Sequence, residues 1–191
     1  MSRIIAGRAK GRRLAAPKGA NTRPTTDRTR EALFSALASW FDAADAAAEE
    51  QLAGYSMLDL FAGTGAVGLE AASRGASPVV LVEADRPTAK LIAANAASAG
   101  LQADVRTGKA ETFAAAPGRS FDLIFIDPPY AVPTEQVEAL LAQLADGAVA
   151  PRGLVVVERS VRDREPAWPP AFTETWRRDY GETCLLFGTV D

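Results

Sequence analysis

The middle of the chain alternates short apolar runs with alanine-rich stretches whose apolar residues recur at helical spacing. The runs lack polar alternation, so we predict strands that are covered on both faces. Such an order predicts βαβ units and a parallel sheet. The predicted strands are 57–61, 79–83, 103–107, 123–127 and 154–158, and the predicted helices are 66–75, 86–99, 109–115 and 134–145.

The last two apolar runs, 172–178 and 183–190, follow each other without a helix between them. The residues between them, 179–182, have the sequence DYGE, which predicts an antiparallel hairpin. Five parallel strands followed by a hairpin is the element order of a Rossmann-like α/β fold with a seven-stranded, mostly parallel sheet.

The first 20 residues show another pattern, in which apolar residues are interleaved with basic ones. Ile4, Ile5 and Leu14 alternate with arginines and lysines around two glycines. A mobile basic tail usually lacks such alternation. We therefore predict an ordered basic β-hairpin over residues 1–20 and one larger domain over residues 21–191.

One amphipathic helix is predicted between the hairpin and the sheet. Thr25 to Asp27 supply N-cap candidates, and the helical spacing follows in Leu33, Phe34, Leu37 and Phe41. Residues 42–54 are alanine-rich and acidic, with good helix propensity but little to bury. We interpret them as a connector.

Charge is distributed unevenly along the chain. Residues 1–40 hold nine basic and two acidic side chains, a charge of +7, whereas residues 41–191 hold 12 basic and 22 acidic ones, a charge of −10. A basic arm on an acidic body is expected when the arm neutralises phosphates and the body carries another activity.

The composition excludes several kinds of chemistry. Cys184 is the only cysteine and the chain has no histidine, which rules out disulfides, Cys/His zinc sites and histidine bases. No apolar stretch approaches the roughly 18 residues that a membrane-spanning helix needs. We expect a single-domain, metal-free, soluble protein of the cytoplasm.

A glycine-rich segment, 59–68 (DLFAGTGAVG), joins the first predicted strand to its helix. Ligands of open α/β sheets bind at such strand ends. Gly63 and Gly65 allow positive φ and a close approach of the backbone to a ligand, and Gly68 allows close helix packing. Alternatively, these glycines have a purely structural role and only turn the chain from strand to helix.

Two cofactors fit the glycine spacing. Glu83 follows Gly63 by 20 residues at a strand end, where a carboxylate can accept the ribose hydroxyls of NAD. However, Asp59 and Phe61 lead the glycines in a pattern that resembles motif I of class I S-adenosylmethionine-dependent methyltransferases. The chain also has no room for a second, substrate-binding domain. We therefore predict S-adenosylmethionine.

The resemblance to motif I implies a role for each part of the site. Asp59 and loop 61–65 would face the methionine part, Glu83 the ribose and Ala110 the adenine. Gly108 and its neighbours lack the acid that many relatives carry, so adenine recognition there would rest on backbone groups. The predicted cofactor-binding residues are Asp59, Phe61, Ala62, Gly63, Thr64, Gly65, Glu83, Ala84, Ala110 and Asp127.

The predicted catalytic loop follows the fourth strand of the sheet and consists of Asp127, Pro128, Pro129 and Tyr130. The prolines fix φ in a rigid corner, which would aim the Asp127 carboxylate and the Pro128 carbonyl at the two hydrogens of one amino group. Tyr130 offers a ring on which an unstacked base can lie.

This tetrapeptide resembles motif IV of amino-group methyltransferases. It predicts methylation of an exocyclic amine on a nucleic acid and leaves guanine N2, adenine N6 and cytosine N4 open.

The rest of the chain resembles one family of such enzymes. The resemblance rests on segments 3–7 (RIIAG), 11–14 (GRRL) and 23–34 (RPTTDRTREALF), and it continues through 59–68, Glu83, Asn95, 127–130 and 180–183 (YGET). These segments are similar to the RsmD family, the bacterial 16S rRNA guanine-N2 methyltransferases. The 42–54 connector is longer and richer in alanine than expected for that family.

The family resemblance implies methylation of the N2 amine of one guanine in 16S rRNA, in an assembled or assembling small ribosomal subunit. We expect a monomer. The residues predicted to bind RNA are Arg3, Arg8, Lys10, Arg12, Arg13, Arg23, Arg28 and Arg30. For Arg23, Thr25, Arg28 and Arg30, contacts with the cofactor or a purely structural role in capping and ion pairing are alternatives.

Three other functions remain open from the sequence. A DNA amino-methyltransferase would normally carry an added recognition domain. A non-catalytic ribosome-assembly protein could keep the fold. A methyltransferase for protein glutamine amides usually has Asn in place of Asp127.

Overall fold

A computed structural model of the chain describes residues 2–17 and 26–191. Two short strands come first, β1 (Ser2–Arg3) and β2 (Arg13–Leu14). The other strands are β3 (Met57–Asp59), β4 (Val79–Glu83), β5 (Asp104–Thr107), β6 (Phe121–Ile126), β7 (Val149–Ser160), β8 (Glu174–Tyr180) and β9 (Thr183–Thr189). The α-helices are α1 (Asp27–Trp40), α2 (Ala66–Ser73), α3 (Arg86–Ala99), α4 (Ala110–Ala114) and α5 (Thr134–Ala145).

The seven later strands form one sheet in the order β5-β4-β3-β6-β7-β9-β8. Strands β3 to β7 pair in parallel, whereas β9 is antiparallel to both β7 and β8. The class I architecture with a C-terminal hairpin is therefore confirmed. Strand β7 begins at Val149 and not at residue 154, because its pairing with β6 continues across a register irregularity.

Side chains from the sheet alternate between two apolar layers, which confirms strands covered on both faces. One layer contains Leu81, Phe125 and Val156 together with residues from α1, α2 and α3. The opposite layer contains Ile124 and Val155 together with residues from α4 and α5. The apolar runs lack alternation because each face of the sheet is buried.

Strands β1 and β2 form the predicted basic hairpin, in which Ser2 pairs with Leu14. The hairpin is packed on the body of the protein, because Ile4 and Leu14 are fully buried in the layer that α1, α2 and α3 share. The backbone N–H groups of Ile5 and Ala6 donate to the Glu70 carboxylate at 2.6 and 2.9 Å. The separation into domains 1–20 and 21–191 stays a prediction, and residues 18–20 lie outside the described residues.

Thr26 caps helix α1, within the predicted range of 25–27, and its hydroxyl accepts from the Thr29 N–H. The connector contains only a three-residue 3-10 helix, Ala48–Glu50, despite its high alanine content. It is tied to the end of α2, because Leu52 N–H donates to the Arg74 carbonyl at 2.9 Å and the Leu52 side chain is buried. Tertiary contacts therefore override helix propensity here.

Across residues 2–17 and 26–191, no helix has both the length and the apolar character that crossing a membrane requires.

Candidate active site

The register of the parallel strands brings the predicted site residues to one edge of the sheet. Asp59 pairs with Leu81 on β4 and with Phe125 on β6. Glu83 lies two residues further along β4, and Asp127, the residue directly after β6, lies two residues beyond Phe125. Side chains two residues apart along a strand point to the same face. The carboxylates of Asp59, Glu83 and Asp127 therefore belong to one face at the carboxyl ends of three adjacent strands.

A fourth carboxylate, that of Glu158, belongs to the same edge and was not singled out by the sequence pattern. Ile126 pairs with Val157, so Glu158 lies beside Asp127 in the next row. It is 9% exposed, and it lines a small cavity together with Asp127, Pro128 and Tyr130. In the sequence, the only indication of a role for Glu158 is its position at the end of the predicted strand 154–158. Its proximity to Asp127 follows from the pairing register of β6 and β7.

The glycine loop has the backbone conformation that its sequence predicts. Gly63 and Gly65 have φ of 55° and 79°. The loop is held by hydrogen bonds from Ala62 N–H to the Val82 carbonyl at 3.0 Å and from Gly65 N–H to the Ala62 carbonyl at 2.7 Å. Helix α2 begins directly after Gly65, so its N-terminus lies at the same edge of the sheet.

Gly68 allows the close packing of α2 that was predicted. A Cβ atom on Gly68 would lie 2.0 Å from Cδ2 of Leu81, inside van der Waals contact. The missing side chain therefore lets helix α2 approach strand β4 closely.

Glu83 connects the second strand to the glycine loop. Its Oε2 accepts from Gly63 N–H at 3.0 Å, and its Oε1 accepts from Asp85 N–H at 2.8 Å. A carboxylate has about four acceptor positions, so these two bonds leave acceptor capacity for hydroxyl donors. Glu83 is partly exposed and Ala84 is exposed, so both are accessible to a ligand at this edge.

Asp59 has an unusual environment for a carboxylate. It is 1% exposed, and its Oδ1 accepts from Phe61 N–H at 3.3 Å. The pKa of Asp59 is raised to about 7, chiefly by burial and also by the negative charges of Glu83 and Glu158, although the backbone N–H groups of Phe61 and Gly68 act to lower it. A cation nearby would favour the ionised carboxylate, so the site suits a positively charged ligand group.

The part of the site predicted to bind adenine lies at the start of α4. Ala110 is the first residue of α4 and is buried, and Gly108 N–H donates to the Glu83 carbonyl at 3.0 Å. The backbone at this position is thus tied to β4, and its contact with adenine stays a prediction.

The predicted catalytic loop leaves the sheet at the end of β6. Asp127 is half-buried and Pro128 buried, whereas Pro129 is exposed and Tyr130 is 70% exposed. Val132 N–H donates to the Pro129 carbonyl at 2.9 Å, which closes the turn. The loop thus presents an acid at the sheet edge and an accessible aromatic ring beside it.

Strand β7 supports the catalytic loop from the side. The Arg159 guanidinium donates through Nη1 to the Val132 carbonyl at 3.1 Å, and its Nε lies 3.0 Å from Oδ2 of Asp163. Arg159 is buried, so the loop is fixed to the end of β7 by an internal contact.

Most of the predicted RNA-binding residues that the structure describes are exposed. These residues are Arg3, Arg8, Lys10, Arg12, Arg13 and Arg28. Two of them also make contacts within the protein. Arg8 donates to the Ala72 carbonyl at 2.9 Å, and Arg3 lies 3.2 Å from the Asp27 carboxylate. Arg23 and Thr25 lie outside the described residues.

Arg30 requires a correction. The sequence predicts that Arg30 binds RNA, but its side chain is 0% exposed. Its guanidinium donates to the Ser2 hydroxyl at 2.7 Å, to the Arg3 carbonyl at 2.8 Å and to the Asp27 carboxylate at 2.7 Å. Arg30 therefore fastens strand β1 to helix α1 and cannot reach a phosphate, in line with the structural alternative.

The strand order, the glycine loop after β3 and the Asp-Pro-Pro-Tyr loop after β6 together define a class I S-adenosylmethionine-dependent methyltransferase. Residues 2–189 match the family described as Conserved hypothetical protein 95. Ribosomal RNA small subunit methyltransferase D of Escherichia coli (strain K12) is 38% identical over 170 residues, which cover 87% of this chain and 79% of the relative. The chain belongs to this family, the RsmD family, as its opening segments indicate.

Solved structures agree with the fold. Escherichia coli yhhF has a TM-score of 0.83 at 31% identity, with 100% of this chain and 98% of that chain covered. The Thermus thermophilus 16S rRNA N2 G1207 methyltransferase RsmC, in complex with AdoMet and guanosine, has a TM-score of 0.71 at 23% identity. That alignment covers 91% of this chain and 45% of RsmC, and it shows the shared fold.

Proposed function

We propose that this protein transfers a methyl group from S-adenosylmethionine to the exocyclic N2 amine of a guanine in 16S rRNA. The observation that carries the proposal is that Asp127 follows strand β6 two residues after Phe125, the residue that pairs with Asp59 at the start of the glycine loop. We further propose that it acts in the cytoplasm as a metal-free monomer, on an assembled or assembling small ribosomal subunit.

The cofactor fits the residues at the sheet edge. When bound, S-adenosylmethionine supplies an electrophilic methyl group on a sulfonium sulfur. Asp59 provides a buried acid whose ionised form is favoured by a nearby cation. The accessible part of the Glu83 carboxylate can accept the two ribose hydroxyls. Gly63 and Gly65 leave the loop backbone open to close approach.

The target amine is held by the catalytic loop. An exocyclic amine is a poor nucleophile, because its lone pair is delocalised into the ring. The Asp127 carboxylate and the Pro128 carbonyl each accept one of the two amine hydrogens, which favours a pyramidal nitrogen with its lone pair free. Transfer would form the N–C bond as the bond between the methyl carbon and the sulfonium sulfur breaks, with the sulfur leaving as a neutral thioether. The nitrogen would then be cationic, and its acidic proton would pass to Asp127 and on to water.

The target base and its backbone are held by different parts of the protein. The exposed ring of Tyr130 lies beside Asp127 in the loop and can stack on a guanine that has left its helix. The exposed basic residues of the hairpin neutralise phosphates and thereby set the position of the RNA, but they do not select the base.

The test is to map methylated bases in ribosomal RNA from cells with and without this protein. We expect one guanine of 16S rRNA to lose its N2-methyl group, and the purified protein to restore it on small subunits from the deficient cells. Unchanged ribosomal RNA together with a lost adenine or cytosine methylation in DNA would overturn the proposal.

A further inference from the structure

Asn95 on helix α3 connects two segments that are far apart in the sequence. Its side chain is 5% exposed, and all of its polar groups are used. Oδ1 accepts from Ala15 N–H at 2.9 Å, and Nδ2 donates to the Ala15 carbonyl at 3.0 Å. The second hydrogen of Nδ2 is donated to the Thr64 carbonyl at 3.1 Å. One carboxamide thus bridges residues 15 and 64.

One end of this bridge belongs to the basic hairpin. Ala15 follows directly after strand β2, which contains Arg13, and both its N–H and its carbonyl bind the Asn95 side chain. A displacement of the hairpin at this point therefore moves or breaks two hydrogen bonds to the same carboxamide.

The other end belongs to the glycine loop of the proposed cofactor site. Thr64 lies between Gly63 and Gly65, both with positive φ. Its peptide with Gly65 is held on both sides, because Asn95 binds the carbonyl and the Gly65 N–H donates to the Ala62 carbonyl. The orientation of this peptide, and so of the loop backbone, depends on Asn95.

We propose that Asn95 is a positioning residue that couples the basic hairpin to the cofactor loop, so that RNA binding and cofactor binding strengthen each other. This inference rests on the proposed function. A carboxamide with two donors and one acceptor can satisfy all three bonds only when Ala15 and Thr64 hold their relative positions. RNA that orders the hairpin thereby also orders the loop, and by linkage the cofactor has the same effect on RNA affinity.

Ser73 on helix α2 also contacts the hairpin, and it supplies a matched control. The Ser73 hydroxyl accepts from Ala9 N–H at 3.0 Å and donates to the Ala6 carbonyl at 2.6 Å. Ser73→Ala therefore removes hairpin contacts as Asn95→Ala does, but it leaves the contact with Thr64 in place.

The experiment measures the affinity of S-adenosylhomocysteine by equilibrium dialysis, without turnover. The probes are small ribosomal subunits from cells that lack this protein, present at saturation or absent. For wild-type protein we expect the subunits to tighten binding by about fivefold or more, the lower end of usual coupling. In Asn95→Ala the tightening should fall below about twofold, whereas Ser73→Ala should keep it.

A second variant distinguishes a loss of coupling from a folding defect in Asn95→Ala. Ala15→Pro removes the N–H that Oδ1 accepts while it leaves Asn95 and Thr64 unchanged, so the same loss of coupling is expected with nearly normal affinity in the absence of subunits. Coupling that persists in both variants, or that is lost in Ser73→Ala alone, would overturn the inference. Binding to wild-type protein that subunits do not affect would overturn this inference alone, whereas no binding at all would overturn the proposed function with it.

Discussion

At the scale of single residues, the carboxylates of the sheet edge differ in their surroundings. Asp59 is buried, whereas Asp127 is half-buried and lines a small cavity together with Tyr130. The first environment suits a group that meets the cofactor, and the second suits a group that meets a base from outside. We therefore expect the same side-chain chemistry to serve two tasks, which substitutions can separate.

Asp127→Ala should lower turnover by about 100-fold or more, because it removes a positioned acceptor for the amine. Affinity for S-adenosylmethionine should stay within about twofold of wild type, since the proposed partner of Asp127 is the target amine. Single-turnover methylation of small subunits and calorimetry with the cofactor measure the two quantities. Asp146→Ala, at the exposed end of helix α5, is the control. Turnover near wild type would remove Asp127 from the mechanism.

Asp59 should make cofactor affinity depend on pH. Its pKa is raised to about 7 in the folded protein, so the folded state holds this proton more tightly than the unfolded chain does. Ionisation of Asp59 therefore reduces the stability of the cofactor-free protein as pH rises from about 4 to about 7, and acid restores it.

A cationic cofactor reverses this preference, because it binds the ionised carboxylate best. Affinity for S-adenosylmethionine should therefore rise between pH 6 and pH 8, by at most about tenfold per pH unit for one proton. Asp59→Asn should bind more weakly and with a flatter pH profile, as calorimetry at several pH values can show. An equal slope in both proteins would assign the pH dependence to another group.

At the scale of elements, the hairpin and helix α2 form one unit. Glu70 is fully buried, and its carboxylate accepts from Ile5, Ala6 and the Arg74 Nε, the last at 2.9 Å. Arg74 also lies over the ring of Phe34 at 4.8 Å, so the same contacts reach helix α1. The N-terminus of α2 directly follows the glycine loop, and Glu70 and Ser73 near its C-terminus contact the hairpin.

Glu70→Gln should weaken the contact between the hairpin and helix α2. A carboxamide has one oxygen where the carboxylate has two, so at least one backbone N–H would face an NH₂ group. We expect a loss of about 1.5–3 kcal/mol in the free energy of unfolding, the usual value of a hydrogen bond to a charged group. Urea unfolding measures it, and hydrogen exchange at Ile5 and Ala6 should accelerate. Glu174→Gln, on exposed strand β8, is the control, and equal stability of the two variants would contradict the expectation.

At the scale of the whole molecule, the net charge is −3, yet the hairpin presents a basic surface. The hairpin is built into the core through Ile4 and Leu14, so deleting it would damage the fold as well as remove charge. Substituting exposed arginines separates the two effects. Arg12 and Arg13 are suitable because both are exposed and lie at the second strand of the hairpin.

Replacing Arg12 and Arg13 by Gln should weaken binding to small subunits and flatten its salt dependence. Each lost phosphate contact lowers the slope of log affinity against log salt by roughly 0.7–0.9. Cofactor affinity and the identity of the methylated base should not change, since phosphate contacts position the RNA but do not specify the base. Filter binding at several salt concentrations tests this. The matched control replaces Arg119, which precedes β6, and Arg152 of β7, two exposed arginines outside the hairpin. An unchanged slope would show that the hairpin does not bind RNA.

The sequence by itself determined the features that follow from local rules. Strand 79–83 and helices 86–99 and 134–145 have their predicted bounds, because apolar period, caps and glycines act over a few residues. The positive φ of Gly63 and Gly65 and the close packing at Gly68 were predictable for the same reason. The order of strands and a final hairpin were sufficient to predict the fold class.

Only the tertiary structure decided which distant residues meet. Arg30 is an arginine in a basic segment, and nothing local distinguishes a buried one from an exposed one. Glu158 acquires Asp127 as a neighbour through strand register, and Asn95 meets Ala15 and Thr64 across 80 and 31 residues. Such contacts depend on how whole elements pack, and the periodicity of a sequence carries information about each element's buried face but not about its partner.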